Sequence, residues 1–163
     1  YTAIIKDHPQ SRAAQQAKGA IRRLSLKGQK LELAGNLFGG GKVDVSQYKG
    51  KVLVVTYWTT YCTDCTKELP LLIEMYNANK AAGMEVLGVN VDAEGAPVKE
   101  HIQEHKVPWP HISEPGGMQG TPAVAYGVLT LPTTFIVDKA GTVVAVTNSM
   151  EDVKKLVPEL LKK

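Results

Sequence analysis

Hydrophobic residues occur in short blocks along this chain, and the blocks alternate between strand-like and helix-like patterns. Almost every residue from Val52 to Trp58 is apolar or β-branched, which is typical of a strand buried on both faces. Residues 63–82 have the composition of a helix that contains Pro70 and ends at Gly83. Residues 84–91 repeat the buried-strand pattern. These segments predict a β-α-β unit at the centre of the chain.

The flanking segments complete the prediction of an α/β fold. Alternating leucines and valines surround the consecutive glycines at 39–41, which predicts a β-hairpin. Strands separated by helices require parallel pairing, and a second hairpin near the C-terminus adds antiparallel strands. We therefore expect a central mixed sheet flanked by helices, with an added N-terminal hairpin. The predicted flanking segments are a hairpin over 31–45, a polar helix over 97–106, a loop over 107–122, one helical turn over 123–126, a hairpin over 133–147 and a helix over 149–161.

The N-terminal residues 1–29 have a different composition from residues 30–163, which we expect to form the folded domain. The segment from Ser11 to Leu24 is rich in helix formers but has few large apolar residues and a basic end. We expect a solvated linker helix here, with a docking arm or the tail of a preceding domain as alternatives. Because the chain begins at Tyr1 rather than Met, we expect an excised fragment.

Composition excludes several classes of protein. The 163 residues are 44% hydrophobic and 21% charged, as in ordinary globular domains. The formal net charge of +3 is too small to indicate binding to nucleic acid or to a membrane surface. No stretch approaches the roughly 18 consecutive apolar residues of a membrane span. We expect a monomer without a membrane-spanning segment.

The chemistry is concentrated in the two cysteines, Cys62 and Cys65, which form a C-x-x-C pair. A disulfide over so short a loop restricts the unfolded chain little, so the pair is better interpreted as reactive than as structural. Cys62 follows the predicted buried strand and opens a helix, whose N-terminus favours a thiolate. Cys65 lies one turn later on the same face, where it is placed to attack a mixed disulfide formed at Cys62.

Two motifs resemble the thioredoxin superfamily, and most closely its TlpA/ResA-like branch. The stretch from Gly50 to Pro70 is similar to that family's G-K-V-V-L-V-N-F-W-A-T-W-C-x-x-C-x-x-E-x-P, and Leu131 to Asp138 is similar to its L-P-T-T-F-L-I-D. The resemblance covers residues 30–163. It implies a thioredoxin fold and a thiol–disulfide oxidoreductase that reduces disulfides of partner proteins.

The resemblance also implies a role for individual residues. Cys62 would be the attacking thiol and Cys65 the resolving thiol. Pro132 would be a cis-proline that faces them, and Leu131 would keep its backbone groups free for a client segment. Trp58 would pack beside the active-site turn.

The sequence departs from the family motif around the cysteines. Tyr61 replaces the usual tryptophan, and Thr59 replaces alanine. Asp64 lies between the cysteines, and its negative charge opposes a thiolate at Cys62. Strongly oxidising members of the fold depend on a stable thiolate, so we expect a reductant or a weak oxidant.

The family's buried acid, which takes the proton of the second cysteine, has no clean match in this chain. Asp92 and Glu94, just beyond the second buried strand, are the candidates for this proton acceptor. The alternative is that both are exposed loop carboxylates. The resemblance further implies a cysteine-containing client protein, an upstream thiol reductant, no cofactor, no metal and an extracytoplasmic location, either periplasmic or membrane-tethered.

A peroxiredoxin-like peroxidase is the nearest enzymatic alternative. Thr59 and Cys62 match the T-x-x-C part of the peroxiredoxin motif, but Val55 stands where that motif has proline. Its arginine is also absent, because no arginine follows Arg23. A redox-inert binding module on the same scaffold is a second alternative, although such modules usually lose a cysteine.

Metal binding is the remaining class of function. His101 and His105 have helical spacing and, with the cysteines, would supply four ligands for zinc. Their helix is otherwise polar, so we expect both on a solvated face. We expect His111 and His8 at the surface as well.

Overall fold

The fold is a five-stranded mixed sheet covered by helices, with a small separate hairpin. The computed structural model describes all residues from 1 to 163. The elements are, in chain order, α1 (Thr2–Asp7), α2 (Arg12–Leu24), β1 (Ala34–Asn36), β2 (Lys42–Asp44), β3 (Val52–Trp58), α3 (Thr63–Asn79), β4 (Met84–Asn90), α4 (Val98–Glu104), β5 (His111–Ser113), α5 (Thr121–Ala125), β6 (Thr133–Val137), β7 (Val143–Thr147) and α6 (Met150–Leu161).

The strand order of the main sheet is β5-β4-β3-β6-β7. Strand β4 is parallel to both β3 and β5, whereas β6 is antiparallel to β3 and β7. β1 and β2 pair antiparallel in the N-terminal hairpin. The predicted mixed sheet, the flanking helices and the added hairpin are thus confirmed.

Strand β3 lies at the centre of the sheet and contributes side chains to both of its faces. Leu53, Val55 and Tyr57 belong to one apolar core, and Val52 and Val54 belong to the other. All five are buried, which explains why the sequence shows a continuous apolar run instead of an alternating one. The predicted bounds of this strand agree with the structure.

The predicted helices and hairpins agree with the structure at most positions. The elements that the sequence does not predict are α1 and those within the predicted loop over 107–122. That segment contains β5, a three-residue strand on the edge of the sheet, and the beginning of α5. Three residues are too few to show a strand periodicity, and their pairing with β4 is a long-range contact.

Helix α2 is docked on the domain, so the expectation of a solvated linker helix is wrong for residues 12–24. Its small residues Ala14, Ala17 and Ala20 are buried, although none is large enough to mark an apolar face in the sequence. A Cβ atom at Gly19 would overlap the carbonyl oxygen of Val124, because the helix backbone approaches α5 closely. The division of the chain at residue 30 stays a prediction.

None of the helices has both the length and the apolar composition needed to cross a membrane.

The docking of α2 predicts the sign of a stability change. Gly19→Ala in an exposed helix would stabilise the protein by about 1 kcal/mol, because alanine is the better helix former. Here the new methyl group meets the α5 backbone, so we expect a loss of about 1–3 kcal/mol in unfolding free energy, measured by chemical denaturation. Lys18→Ala, on the exposed side of α2, is the control and should change stability by less than about 0.5 kcal/mol. Stabilisation by Gly19→Ala would contradict the docking.

Candidate active site

The cysteines form a disulfide at the start of α3. The Cys62–Cys65 S–S distance is 2.03 Å, and the two Cα atoms lie 5.2 Å apart. Strand β3 ends at Trp58, and Cys62 is the fourth residue after it. The strand–C-x-x-C–helix arrangement predicted from the sequence is therefore present.

The sulfur of Cys62 caps the helix. Cys62 is the N-cap residue of the 17-residue helix α3, and its Sγ accepts a hydrogen bond of 3.1 Å from the backbone N–H of Cys65. An N–H group at a helix N-terminus carries a positive partial charge. When the disulfide is reduced, this position favours a negative charge on Cys62 Sγ.

The two sulfurs open onto different surfaces. Cys62 lines an open groove, here called the Cys62 groove, whereas Cys65 lines a separate cavity of about 40 Å³, here called the Cys65 cavity. The other residues of the Cys62 groove are Thr59, Thr63, Asp64, Met118, Leu129 and Leu131. The cavity is mostly apolar, and its polar lining residues are Thr56, Glu68, His101, His111 and Thr134.

The loop before β6 contributes to both surfaces. The Leu131–Pro132 peptide bond is cis, as the family resemblance implied. Leu131 lines the Cys62 groove and Pro132 lines the Cys65 cavity. The backbone N–H and C=O of Leu131 make no hydrogen bond within the protein. Tyr61 and Leu129 beside the groove are exposed, at 77% and 51%.

Asp92 anchors the turn that leads to Cys62. Its carboxylate accepts hydrogen bonds from the backbone N–H of Thr60 at 2.9 Å, from the Thr60 hydroxyl at 3.0 Å and from the Asn90 amide at 2.7 Å. Asp92 is only 8% exposed, so the alternative of an exposed loop carboxylate is wrong for this residue. Glu94 is exposed, and neither residue lines the Cys65 cavity.

Glu68 is the carboxylate that does line the Cys65 cavity, and sequence reasoning did not single it out. It lies on α3, one turn after Cys65. Burial raises its pKa, and the negative charge of Asp64 acts in the same direction. The signal was present in the sequence, because Glu68 occupies the glutamate position of the C-x-x-C-x-x-E-x-P motif.

Two histidines belong to this site instead of the solvated surface. His111 is 5% exposed, and its Nδ1 accepts a 3.1 Å hydrogen bond from the indole Nε1–H of Trp58. The ring of His101 stacks on Trp58 at a centroid distance of 5.2 Å, and His105 lies against His101 at 4.3 Å. The expectation of a surface position is therefore wrong for His111. It is wrong in part for His101 and His105, which are half-buried, whereas His8 is exposed.

All three arginines lie on helix α2 and contact other parts of the domain. Arg12 contacts Gln119, Arg22 pairs with Glu32 at 2.7 Å, and Arg23 donates to the carbonyl oxygen of Tyr126. No arginine lines the Cys62 groove or the Cys65 cavity. The site thus lacks the cation that a peroxiredoxin-like mechanism would use beside its thiolate.

Comparisons with known proteins agree with this geometry. The model of the AhpC/TSA family matches residues 25–146. The thiol-disulfide oxidoreductase ResA of Bacillus thuringiensis subsp. konkukian is 32% identical over 124 residues, which are 76% of this chain and 69% of that protein.

Solved structures show the same fold. The thioredoxin domain of a thiol-disulfide oxidoreductase from Bacteroides vulgatus has a TM-score of 0.70 and 28% identity, covering 80% of this chain and 97% of that one. A thiol:disulfide interchange protein from Bacteroides sp. has a TM-score of 0.71 and 27% identity, covering 84% and 91%. The sequence-based assignment to the thioredoxin superfamily is confirmed. The chain belongs to the AhpC/TSA family and is a TlpA/ResA-like thiol–disulfide oxidoreductase.

Proposed function

We propose that this oxidoreductase reduces disulfides of client proteins, with Cys62 as the attacking thiol and Cys65 as the resolving thiol. The observation that carries the proposal is that the two cysteines line different surfaces, since Cys62 lines the open groove and Cys65 lines the Cys65 cavity. Both cysteines are half-buried, but only Cys62 lines the groove from which a client disulfide would approach. The second sulfur needs to react only with the mixed disulfide formed at Cys62, one helical turn away.

The proposed reaction has two exchange steps. The Cys62 thiolate attacks a client disulfide, forms a mixed disulfide and releases one client thiolate. The Cys65 thiolate then attacks Cys62 Sγ, which forms the Cys62–Cys65 disulfide and releases the second client thiolate. Both client thiolates take up protons from solvent, and an upstream thiol reductant restores the two cysteines.

The Cys62 groove supports binding of an extended client segment. The free N–H and C=O groups of Leu131 are available for a short stretch of backbone pairing beside Cys62. Leu129 and Met118 offer apolar contacts on the same side. Tyr61, exposed next to the sulfur, widens this apolar surface. A cysteine flanked by apolar residues in an unfolded or extended segment fits such a groove best.

Glu68 is the proposed proton acceptor for Cys65. It lines the cavity with that cysteine, and its raised pKa brings it closer to the range of a useful acid–base group. Asp92, the candidate from sequence, has its oxygens occupied by donors from Thr60 and Asn90, which supports a positioning role instead. Glu94 is exposed and takes no part in the proposed reaction.

The reductase direction is supported by Asp64. This residue lies in the first turn of α3, where a negative charge opposes a thiolate on Cys62. Lys67 pairs with it at 3.4 Å, but both side chains are more than two-thirds exposed, so the attraction is weakened by solvent. We place the reaction outside the cytoplasm, periplasmic or membrane-tethered, where client disulfides form and persist.

The division of labour predicts which variant traps client proteins. Cys65→Ser keeps the attacking thiol in the open groove but removes the resolving one, so mixed disulfides at Cys62 should accumulate. Cys62→Ser is the matched control and should trap little, because Cys65 lines the Cys65 cavity and not the Cys62 groove. The measurement is non-reducing electrophoresis with a disulfide-bonded client. Stronger trapping by Cys62→Ser would reverse the assignment.

The proposed role of Glu68 predicts that Glu68→Gln slows the second exchange step but makes the folded protein more stable. Glu68→Gln should slow the attack of Cys65 on the mixed disulfide by about 10²-fold, the usual size of a general-base contribution. The raised pKa means that the ionised carboxylate costs folding free energy above that pKa. The variant should therefore be more stable than wild type at neutral pH, and the gain should vanish as pH falls to where Glu68 is protonated in both states. An unchanged resolution rate would exclude Glu68 as the acceptor.

The charges of Asp64 and Lys67 predict opposite shifts of the reduction potential. Asp64→Asn should raise the potential and Lys67→Gln should lower it, because the first change favours the Cys62 thiolate and the second disfavours it. Each shift should be no more than about 20 mV, since an exposed charge pair contributes about 1 kcal/mol or less. Equilibration with glutathione buffers measures both. A wild-type potential near −120 mV, the strongly oxidising end of the range for this fold, would exclude the reductase direction.

A further inference from the structure

Helix α2 contacts the two chain segments that carry the apolar side of the Cys62 groove. Leu129 and Leu131 belong to the segment that follows α5, and Met118 belongs to the turn that precedes α5. Arg23 of α2 contacts the first segment, and Arg12 contacts the second. The groove therefore combines residues around the active-site helix with apolar residues on segments that are attached to α2.

Arg23 fixes the backbone that leads to Leu129. One terminal nitrogen of its guanidinium donates hydrogen bonds to the carbonyl oxygen of Tyr126, at 3.0 Å, and to that of Gly127. The side chain of Arg23 is half-buried, and hydrogen bonds from a charged donor are stronger than those between neutral groups. A single cation thus holds two consecutive carbonyl groups shortly before the first leucine of the groove.

The backbones of α2 and this segment also touch directly. A Cβ atom at Gly19 would lie 2.5 Å from the backbone nitrogen of Gly127, and a Cβ atom at Gly127 would overlap the backbone nitrogen of Ala20. Gly127 has a φ of +53°, in the left-handed region that favours glycine. With a glycine on each side, the contact leaves no gap, so the position of α2 determines the position of the segment.

Residues 129–131 have little support of their own. The backbone groups of Leu129 and Leu131 make no hydrogen bond within the protein. One hydrogen bond reaches this stretch, from the hydroxyl of Thr133 to the carbonyl oxygen of Thr130, at 2.8 Å. The free groups of Leu131 are those that the proposed function assigns to the client. The stretch therefore depends on its two ends, which are the α2-bound backbone at 126–127 and strand β6.

Arg12 acts in the same way on the other segment. Its guanidinium donates to the side-chain oxygen of Gln119, the residue next to Met118. Met118 is half-buried and packs against the core, whereas Arg12 is exposed. Neither Arg12 nor Arg23 forms an ion pair, since the three ion pairs of the protein involve other residues. Both cations are thus bound to uncharged acceptors on the segments that carry the groove.

We propose that α2 is part of the client-binding apparatus, with Arg23 and Arg12 as positioning residues that hold the apolar side of the Cys62 groove. The inference rests on the proposed function. Neither arginine lines the groove, so they act through the leucines and the methionine that do. Their effect therefore falls on clients that extend along the groove. A small disulfide that meets only the sulfur of Cys62 does not use this side.

Two chromogenic disulfides test the proposal on the reduced protein. One joins an aromatic thiol to a short peptide whose single cysteine is flanked by leucines, and the other joins two aromatic thiols. In both cases, attack by Cys62 releases a coloured aromatic thiolate. The dependence of this release on peptide concentration gives the half-saturating concentration and the limiting rate separately.

Arg23→Gln should raise the half-saturating peptide concentration by about tenfold, the effect of losing one hydrogen bond from a charged group. Arg12→Gln, at an exposed position, should raise it by about threefold. In both variants, the limiting rate and the release from the small disulfide should stay within about twofold of wild type, because only binding along the groove is weakened. Lys18→Gln, at an exposed residue of the same helix, is the control and should change neither reaction.

A second measurement locates the effect. In ¹⁵N-labelled Arg23→Gln, the amide signals of Leu129 and Leu131 should shift, whereas in Lys18→Gln they should stay in place. An unchanged half-saturating concentration in both arginine variants, an equal loss of rate with the small disulfide, or unmoved leucine signals would each overturn the positioning role. Release from the peptide by the wild-type protein that does not saturate would instead overturn the proposed function, because the groove would then bind no extended segment.

Discussion

Burial of β3 on both faces is the constraint on which the rest of the structure depends. The strand must be covered by helices on each side, so it occupies the centre of the sheet, between β4 and β6. Its carboxyl end then delivers Cys62 directly to the N-terminus of α3, and the antiparallel neighbour β6 brings Pro132 to the same end. Hydrophobic burial thus brings the reactive sulfurs to this end of the sheet, and the hydrogen bonds from Thr60 to Asp92 fix the turn that leads to them.

The features that sequence reasoning predicted correctly are those set by local pattern. The run from Val52 to Trp58, the C-x-x-C pair and the cis-proline motif all lie in contiguous segments whose residues are informative together. The burial of His111 is not predicted from the sequence, because it depends on long-range contacts. Its burial depends on pairing with Gly88 and on a hydrogen bond from Trp58, and neither partner is near it in the chain. The sequence does not predict the docking of α2, because its contact face consists of alanines and a glycine and shows no large apolar residues.

The polar groups of the site divide into those that stabilise the fold and those that are costly to bury. The Asp92 carboxylate belongs to the first group, because donors satisfy it and it fixes the turn before Cys62. Glu68 and His111 belong to the second group, since burial disfavours the charged form of each. Both costly groups line the Cys65 cavity, and natural proteins commonly give up stability in this way at sites of chemistry.

The short distance between the sulfurs also bears on oxidative damage. Peroxides that reach the reduced protein meet Cys62 first, because it lies in the open groove. The sulfenic acid formed there has a thiol one helical turn away, and condensation with Cys65 gives water and the same disulfide. This reaction competes with further oxidation to the irreversible sulfinic acid. An arrangement that resolves client disulfides therefore also returns an oxidised cysteine to the normal redox cycle.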